Sequence, residues 1–335
     1  MVGIDIGSNS VKVVELSLAG GNCRLENIGE ALFPYDAITR KSISRDDVVS
    51  AVISNLVSGL GVRKKKAVMG LSGEAVAFKV VDVPENFLGK DIKKLVPDIV
   101  SSALSINISD VNYSYTTLVP SDEVSGQPSV LVAAVSKKIV QEYKNSIAAA
   151  GLRAPVIDID AMAISNAYTF FHGDNAERVA LVNIGASGTN LSVLDDKVPC
   201  VLRDIPLGGQ WITSHLMEKF KITYEEAERI KCSVRSYSIY DEIEGVFEEF
   251  IARVAGEIRT VFDEIGGAIE RIVLCGGSSR IAAIRDQVAA DAGIPVEIWN
   301  PFQNIEIEDS RFDPKYVEHL APKMAVAVGL ALRGL

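Results

Sequence analysis

The sequence has few of the residues from which metal centres and disulfide frameworks are built. Its four cysteines, Cys23, Cys200, Cys232 and Cys275, are far apart and form no CxxC pair, and only three histidines occur in 335 residues. These spacings match neither a structural zinc site nor a disulfide framework. The cysteine usage therefore favours a reducing, cytoplasmic location.

Long apolar runs and an excess of basic residues are also absent. No stretch has the pattern of a signal peptide or enough unbroken apolar residues to span a bilayer. The net charge of −10 and the pI near 5.0 argue against a nucleic acid or an anionic membrane as the main partner. The basic run "RKKK" (63–66) is short and precedes a strand, so it is interpreted as a solvated strand entry. Any function at a membrane would require a partner that holds the protein there.

What the sequence does contain indicates a well-packed protein with two lobes. Hydrophobic residues make up 48% of the 335 positions, and strands alternate with amphipathic helices, which is typical of an α/β sheet covered by helices. One such helix is predicted over Arg45–Gly61 with Ser44 as its N-cap. From about Glu74 to Leu152 the order becomes strand, helix, two strands and helix. This change predicts a separate α+β insertion.

The opening stretch "GIDIGSNSVKVVEL" reads as two strands joined by a polar glycine turn. Alone it would be an ordinary hairpin, and it matches neither the dinucleotide-binding motif nor the P-loop. The pattern recurs in "ALVNIGASGTNLSVLD", where Asn183 stands in place of Asp5. Small residues let the backbone approach a ligand and consecutive amides attract anions. Two such hairpins predict a polyphosphate held between two lobes.

A third glycine-rich element, "ERIVLCGGSSRIAAIRDQVA", follows the same logic. It predicts a buried strand, a glycine turn at Gly276–Ser279 and an amphipathic helix whose N-terminus begins at that turn. By itself such an arrangement is common in plain connections. Together with the two hairpins, in this order, it indicates a nucleotide site.

These elements resemble the actin/Hsp70/FtsA superfamily of ATP-binding proteins. The motifs that carry the resemblance are "GIDIGSNSVK" (phosphate-1), "VIDIDAMAISNA" (connect-1), "LVNIGASGTNL" (phosphate-2), "VLCGGSSR" (adenosine) and "APKMAVAVGLALRG" (connect-2). Within the superfamily, "IPLGGQWITSHL", "EEAERIK" and the terminal "AVGLALRG" are most similar to the PilM family of type IV pilus assembly. The resemblance covers essentially the whole chain. It implies an α/β, actin-like ATPase fold, with two lobes of duplicated sheet-plus-helix core and an FtsA-type 1C insertion in lobe 1.

The resemblance also implies limits for the subdomains. Lobe 1 (1A) would comprise 1–73 and return at 153–175 with the connect-1 helix, around a 1C insertion at 74–152. Lobe 2 would span 176–321, with a smaller 2B insertion at about 211–245, and 322–335 would form the connect-2 helix.

The site residues are likewise implied by the resemblance, position by position. Asp5 would hold Mg²⁺ through its water shell, and Lys12 would neutralise the phosphates of ATP. Glu228 and Lys231 either line the base and ribose or form a charge pair on an exposed amphipathic helix. The implied ATP-binding residues are Gly7, Ser8, Asn9, Ser10, Lys12, Gly185, Ala186, Ser187, Gly188, Thr189, Gly208, Glu228, Lys231, Gly276, Gly277 and Ser278.

Asp160 occupies the place where actin has the glutamine that orients the attacking water. A carboxylate there could position water or act as a base, but an aspartate is also an ordinary helix N-cap. Asn183 departs from the family pattern, because phosphate-2 usually begins with an acid. We therefore expect at most weak ATPase activity, with ATP acting as a clasp between the lobes.

The resemblance to PilM implies an adaptor function rather than an enzymatic one. Its relatives are implied to bind the cytoplasmic N-terminal tail of PilN, an inner-membrane protein, in a groove of subdomains 1A and 1C. Membrane association would be indirect. Further contacts with the pilus motor, other platform proteins or a second copy of the chain are compatible with this function. Ser101–Ile108 would either contribute to that groove or complete the core of the insertion.

Two other functions are considered. An FtsA-like division protein or filament-forming actin homologue is disfavoured by the absence of an amphipathic membrane helix after "ALRGL". A sugar kinase on the same fold would require an extended sugar-binding insertion, and none is visible in the sequence.

Overall fold

The computed structural model describes residues 1–39, 42–71, 75–82, 92–118, 129–172, 177–233 and 241–335. The expected subdomain limits at 73/74 and 175/176 lie outside these residues. The turn-forming residues of "SDEVSGQPS" (121–129) predict a hairpin tip, and the polar "HGDNAE" (172–177) predicts an exposed connection; most of both segments also lies outside the described residues. No helix within the described ranges is both long and apolar enough to cross a bilayer.

The first lobe is built on a five-stranded sheet in the order β10-β6-β1-β2-β3. Three antiparallel strands are followed in space by two that run parallel to β1. Every residue of β1 is buried, as expected for a central strand covered on both faces. The strands are β1 (Val2–Ile6), β2 (Ser10–Ala19), β3 (Asn22–Leu32), β6 (Lys66–Leu71) and β10 (Arg153–Ile159), and a short ribbon is formed by β4 (Ile38–Thr39) and β5 (Ser42–Ile43).

Helix α1 (Asp46–Gly59) covers one face of this sheet through Val49, Ile53 and Val57. The prediction of Ser44 as N-cap is wrong, because Arg45 is the N-cap and makes no side-chain cap bond. The amides of Ser44 and Arg45 both donate to the carbonyl of Ala37, which keeps Ser44 outside the helix. Two acidic residues in the first turn of α1, Asp46 and Asp47, stabilise the helix instead, because they interact with the positive end of its dipole.

The predicted insertion contains a three-stranded antiparallel sheet of its own in the order β7-β9-β8. Its strands are β7 (Val76–Asp82), β8 (Val111–Leu118) and β9 (Ser129–Ser136), and α2 (Ile92–Leu104) covers one face. In the segment Ser101–Ile108, the apolar side chains pack against this small core, as the second of the two interpretations predicts. The following α3 (Lys137–Ala149) packs into the core of the first lobe through Val140, Tyr143 and Ile147. We therefore propose that the inserted unit ends near Ser136 instead of Leu152.

The second lobe repeats the sheet of the first, in the order β13-β12-β11-β14-β15. Again three strands are antiparallel and two run parallel to the central strand. The strands are β11 (Val179–Ile184), β12 (Thr189–Asp195), β13 (Val198–Ile205), β14 (Arg271–Cys275) and β15 (Val296–Ile298). The duplication that the recurring hairpin predicts is confirmed by this shared topology.

In the described part of the second lobe, four helices cover the sheet or extend from it. They are α5 (Gln210–Phe220), α6 (Tyr224–Ser233), α7 (Asp241–Ile265) and α8 (Ile284–Ala292). The prediction that a helix starts at the glycine turn is wrong, because Gly277–Arg280 forms a 3₁₀ turn. Ala283, with a left-handed φ of 66°, separates that turn from α8. Helix α8, with the positive end of its dipole, therefore begins at Ile284, eight positions after Gly276 in the chain.

Two helices pack between the lobes. They are α4 (Asp160–His172) and α10 (Ala325–Leu332), and the latter follows α9 (Pro314–Leu320) and a 3₁₀ turn at Ala321–Met324. A Cβ added at Gly329 would lie 2.0 Å from the carbonyl oxygen of Ala163, and one at Gly3 would lie 2.1 Å from that of Ala327. Their shared apolar cluster includes side chains from both sheets. These close backbone contacts fix α10 against α4 and β1.

Candidate functional site

A cleft of about 1300 Å³ lies between the two lobes. It is lined by the first hairpin (Gly3–Leu16), the second hairpin (Ala180–Asp195) and the glycine turn (Gly276–Ser279). The predicted site residues that line it are Asp5, Gly7, Ser8, Asn9, Ser10, Lys12, Asp160, Gly185, Ala186, Ser187, Gly188, Glu228, Lys231, Gly276, Gly277 and Ser278. The structure therefore brings distant parts of the chain to one cavity.

Two predicted residues, Thr189 and Gly208, do not line the cleft. The Thr189 hydroxyl is buried and donates to the carbonyl of Leu207 at 2.7 Å. A Cβ at Gly208 would lie 2.6 Å from the carbonyl oxygen of Ala186. Both residues therefore support the second hairpin on the side away from the cleft, where its backbone contacts the loop that follows β13.

Asp5 and Lys12 form a buried ion pair at the cleft end of the first hairpin. They are direct partners across β1 and β2, and the Lys12 ammonium lies 3.1 Å from the Asp5 carboxylate. Burial lowers the pKa of Lys12, but the nearby carboxylates of Asp5, Glu30 and Asp160 outweigh it, so the net shift is upward. A positively charged lysine at this position can neutralise an anionic ligand.

The donor set fits a hydrated Mg²⁺ better than a fully protein-bound metal. No group of three or more metal-ligating side chains occurs in the part of the chain that the structure describes. Asp5 supplies one hard oxygen ligand in a cleft large enough for a nucleotide. Mg²⁺ commonly retains several waters and binds through one or two carboxylates and the phosphates of its substrate.

The glycine turn makes backbone contact with the second hairpin. Gly276 has a φ of 89°, and a Cβ there would lie 2.4 Å from the Asn183 side-chain oxygen and 2.5 Å from the carbonyl oxygen of Ile184. The Ser278 hydroxyl donates to the carbonyl of Gly185 at 3.1 Å. By contrast, a Cβ at Gly277 would meet nothing within 4 Å. Gly276 thus serves the close packing of the turn, whereas Gly277 faces open space in the cleft.

The two lobes touch each other across the cleft. The hydroxyl groups of Ser8 and Ser187, one from each hairpin, are 2.7 Å apart. The Tyr224 hydroxyl donates to the side-chain oxygen of Asn9 at 2.6 Å, and its ring lies 4.5 Å from that of Tyr35. Sequence reasoning missed both tyrosines, because neither lies in a recognisable motif. These contacts hold the hairpins close enough to enclose one ligand.

Glu228 and Lys231 line the cleft and also pair with each other on α6. The charge pair that one interpretation predicts is present, but its side chains are only 18% and 13% exposed, so it does not lie on an exposed helix face. Lys231 donates to the Thr213 hydroxyl at 2.9 Å, and that hydroxyl donates to Glu228. The pair therefore lies in the cavity wall in a fixed orientation, as contact with a base or ribose would require.

Asp160 begins α4 and presents its carboxylate to the cleft. The residue is nearly buried, and a Cβ at Gly70 would lie 2.2 Å from its Oδ1 atom. The absence of a side chain at Gly70 thus provides the space for this carboxylate. Its proposed functions, positioning water or capping α4, remain predictions.

Glu30 and Lys323 also line the cleft, and sequence reasoning missed them. Glu30 is the partner of Lys12 across β2 and β3, so Asp5, Lys12 and Glu30 form one row across three strands. The equivalent row of the second lobe contains Asn183, Asn190 and Asp204. A charged residue that follows the buried Ile28 and Gly29 in a strand is the signal that could have identified Glu30.

Comparison with known proteins agrees with this architecture. In a solved structure described as the PilM-PilN type IV pilus biogenesis complex, one chain superimposes with a TM-score of 0.89 at 24% identity, covering 99% of this chain and 98% of that one. The ethanolamine utilization protein EutJ from Carboxydothermus hydrogenoformans superimposes with a TM-score of 0.59 at 16% identity, covering 99% and 88%. These likenesses show that the chain has the actin-like fold.

The sequence comparisons point to the same group of proteins. The cell division protein FtsA of Bacillus subtilis is 24% identical over 263 residues, which is 72% of this chain but only 59% of that protein. The model of the family described as type IV pilus assembly protein PilM matches residues 3–335. The chain therefore belongs to the PilM family of type IV pilus assembly proteins.

Proposed function

We propose that this protein binds Mg·ATP in the cleft and uses it as a clasp between its two lobes. The observation that carries the proposal is the convergence of both hairpins and the glycine turn on one cavity. Asp5 would hold the hydrated Mg²⁺, while Lys12 and the hairpin amides would bind the phosphates. When bound, Mg²⁺ would neutralise much of the phosphate charge. Gly277 and the Glu228–Lys231 pair would face the nucleoside.

Hydrolysis is proposed to be slow or absent. The second lobe presents Asn183 where the first presents Asp5, and the Asn183 amide donates to Asn190 at 3.3 Å. This row therefore offers the metal no carboxylate at the position of Asp5. Without that charge, the nucleotide would be held rather than turned over, and its effect would be to stabilise one arrangement of the lobes.

Replacement of Asp5 by alanine tests the nucleotide site. We expect the variant to bind Mg·ATP at least tenfold more weakly by calorimetric titration, which corresponds to about 1.4 kcal/mol. Glu15→Ala is the matched control, because Glu15 is also a buried acid of the first hairpin and pairs with Lys64 at 3.5 Å, away from the cleft. Equal affinity of the wild type and a folded Asp5→Ala variant would remove Asp5 from the site.

The partner that we propose is the cytoplasmic N-terminal tail of PilN. The family assignment and the likeness to a chain of a PilM-PilN complex support this proposal. The tail would bind in a groove between the first lobe and the inserted sheet, and would tie the protein to the inner face of the cytoplasmic membrane. In this position the protein would link PilN to the cytoplasmic pilus machinery.

The inserted sheet is well placed to sense the state of the cleft. Its strand β9 contributes Leu131 to a buried cluster with Ala161 of α4 and Leu202 of the second lobe. Ala161 is the neighbour of Asp160, which lines the cleft. A change in lobe closure would therefore alter the packing of this sheet.

Peptide binding should consequently depend on the nucleotide. We expect a PilN tail peptide to bind the Mg·ATP-loaded protein more tightly than the empty protein, and by linkage the peptide should raise nucleotide affinity by the same factor. Paired titrations with and without Mg·ATP measure both quantities. Leu131→Ala should reduce this coupling between peptide binding and nucleotide binding. Leu18→Ala, at an exposed position outside the cluster, is the control. Identical peptide affinities in the two states would show that the cleft and the groove are independent.

The match to FtsA favours one alternative, a function in cell division or filament formation. Parallel pull-downs with pilus and division inner-membrane tails distinguish the two functions. Retention of a division tail but not of the PilN tail would replace the pilus proposal.

A further inference from the structure

Glu30 joins three parts of the molecule at the cleft. One carboxylate oxygen accepts a hydrogen bond from the Ser10 hydroxyl at 2.9 Å, and the other accepts from the Lys323 ammonium at 2.9 Å. The Glu30 and Lys323 side chains are 14% and 22% exposed. Salt screens a partly buried pair of this kind much less than it screens a surface pair.

The charges alternate along this part of the cleft. Asp5, Lys12 and Glu30 are successive partners across β1, β2 and β3, and Lys323 continues the series with a positive charge. Burial raises the pKa of Glu30, but Lys12 and Lys323 lower it further, so the net shift is downward. Glu30 therefore carries a negative charge that interacts favourably with both lysines.

Lys323 belongs to the 3₁₀ turn that precedes α10, and this turn also forms a hydrogen bond with the glycine turn. The amide of Gly276 donates to the carbonyl of Pro322, the residue before Lys323, at 2.7 Å. The contacts of Glu30 thus run from the first hairpin, through Lys323, to the turn that follows β14 of the second lobe. They link the first hairpin to the glycine turn through the Lys323 side chain and the carbonyl of the neighbouring Pro322.

We propose that Glu30 is a positioning residue of the cleft, whose carboxylate binds Ser10 of the first hairpin, acts by its charge on the cross-strand partner Lys12, and ties this hairpin to the entry of α10. The proposal deepens the proposed function and rests on it for the identity of the ligand. Glu30 would not contact the nucleotide itself. Its charge would act together with Asp5, which binds the Lys12 ammonium at 3.1 Å, to keep that ammonium ready to bind a phosphate.

Whether the loss of the Glu30 charge strengthens or weakens Mg·ATP binding distinguishes a positioning function from a simple charge effect. Removing a negative charge beside an anionic ligand should strengthen binding if only Coulomb forces matter. Loss of a positioning group should weaken binding, because Lys12 and Ser10 would then lose conformational freedom when the ligand arrives. Glu30→Gln preserves the shape of the side chain and removes only the charge.

Glu26 provides a matched control on the same strand, β3. It accepts a hydrogen bond from Ser17 of β2 at 2.6 Å and pairs with Arg311 at 3.1 Å, so it also ties β2 to the C-terminal part of the chain. Glu26 does not line the cleft. Glu26→Gln therefore removes an equivalent structural link far from the proposed ligand.

The first measurement is calorimetric titration of Mg·ATP into the two variants and the wild type. We expect Glu30→Gln to bind at least fivefold more weakly and Glu26→Gln to bind like the wild type. Lys323→Met should also weaken binding, and the double variant Glu30→Gln/Lys323→Met should lose less than the product of the two single effects. Unchanged or tighter binding by Glu30→Gln would overturn the proposal.

The second measurement is hydrogen exchange without any nucleotide. We expect Glu30→Gln to increase exchange both in the first hairpin at 7–12 and at the entry of α10 at 321–326, whereas Glu26→Gln should affect neither segment. Equal exchange in both segments for wild type and Glu30→Gln would overturn the link. If the wild type fails to bind Mg·ATP, the proposed function is wrong, and the exchange result still decides whether Glu30 connects the two segments.

Discussion

Asp160 is the residue at which a chemical and a structural explanation lead to different expectations. If its carboxylate positions water, Asp160→Asn should lower any measurable ATP turnover about tenfold or more and leave Mg·ATP affinity nearly unchanged. If it caps α4, asparagine caps about as well and turnover should not change. Phosphate release measures turnover, and Asp158→Asn is the control because Asp158 pairs with Arg333 and does not line the cleft. Equal turnover by wild type and Asp160→Asn would leave only the cap.

At the same scale, sequence reasoning predicted contiguous motifs and missed long-range partners. Gly7, Ser8 and Asn9 stand together in one hairpin, so their pattern is visible in the sequence. The partner of Asn9, Tyr224, is 215 positions away, and the partner of Glu30, Lys323, is 293 positions away. Nothing local marks such residues, because their contribution depends on how the two lobes meet.

The glycine turn is the element in which neighbouring residues have different constraints. Gly276→Ala should lower the free energy of unfolding by about 1–3 kcal/mol, because its positive φ and its backbone contacts exclude a Cβ. Gly277→Val should fold with near wild-type stability but weaken Mg·ATP binding by filling the cleft. Chemical denaturation and calorimetric titration measure the two effects. A destabilised Gly277→Val variant, or one with unchanged affinity, would contradict this division.

Element types and approximate limits could be predicted from the sequence, whereas helix starts could not. The two strands predicted in "GIDIGSNSVKVVEL" are β1 and β2, because branched aliphatic residues on both sides of a glycine turn are a strong local signal. The start of α1 depends on two amides that bond Ala37, and the start of α8 depends on the 3₁₀ turn before it. The amphipathic pattern of α3 shows that one face of the helix is buried, but it does not determine that this face packs against the first sheet.

The duplication of the whole molecule could be predicted from the recurring hairpin, and the structure adds where the two copies differ. Both sheets have the same strand order, but the row Asp5, Lys12 and Glu30 carries alternating charges. The equivalent row of the second lobe begins with two asparagines, Asn183 and Asn190. The proposed metal would therefore be held from the first lobe, and the second lobe would contribute backbone amides and hydroxyl groups.

The central claim, that one nucleotide clasps both lobes, is tested most directly by hydrogen exchange with and without Mg·ATP. Our account predicts that Mg·ATP slows exchange in both hairpins, Gly3–Leu16 and Ala180–Asp195, and that Asp5→Ala abolishes both effects at the same nucleotide concentration. Protection of only one hairpin would mean that the ligand contacts one lobe. Exchange that is unchanged in both hairpins, at Mg·ATP concentrations that saturate ordinary nucleotide sites, would contradict the clasp.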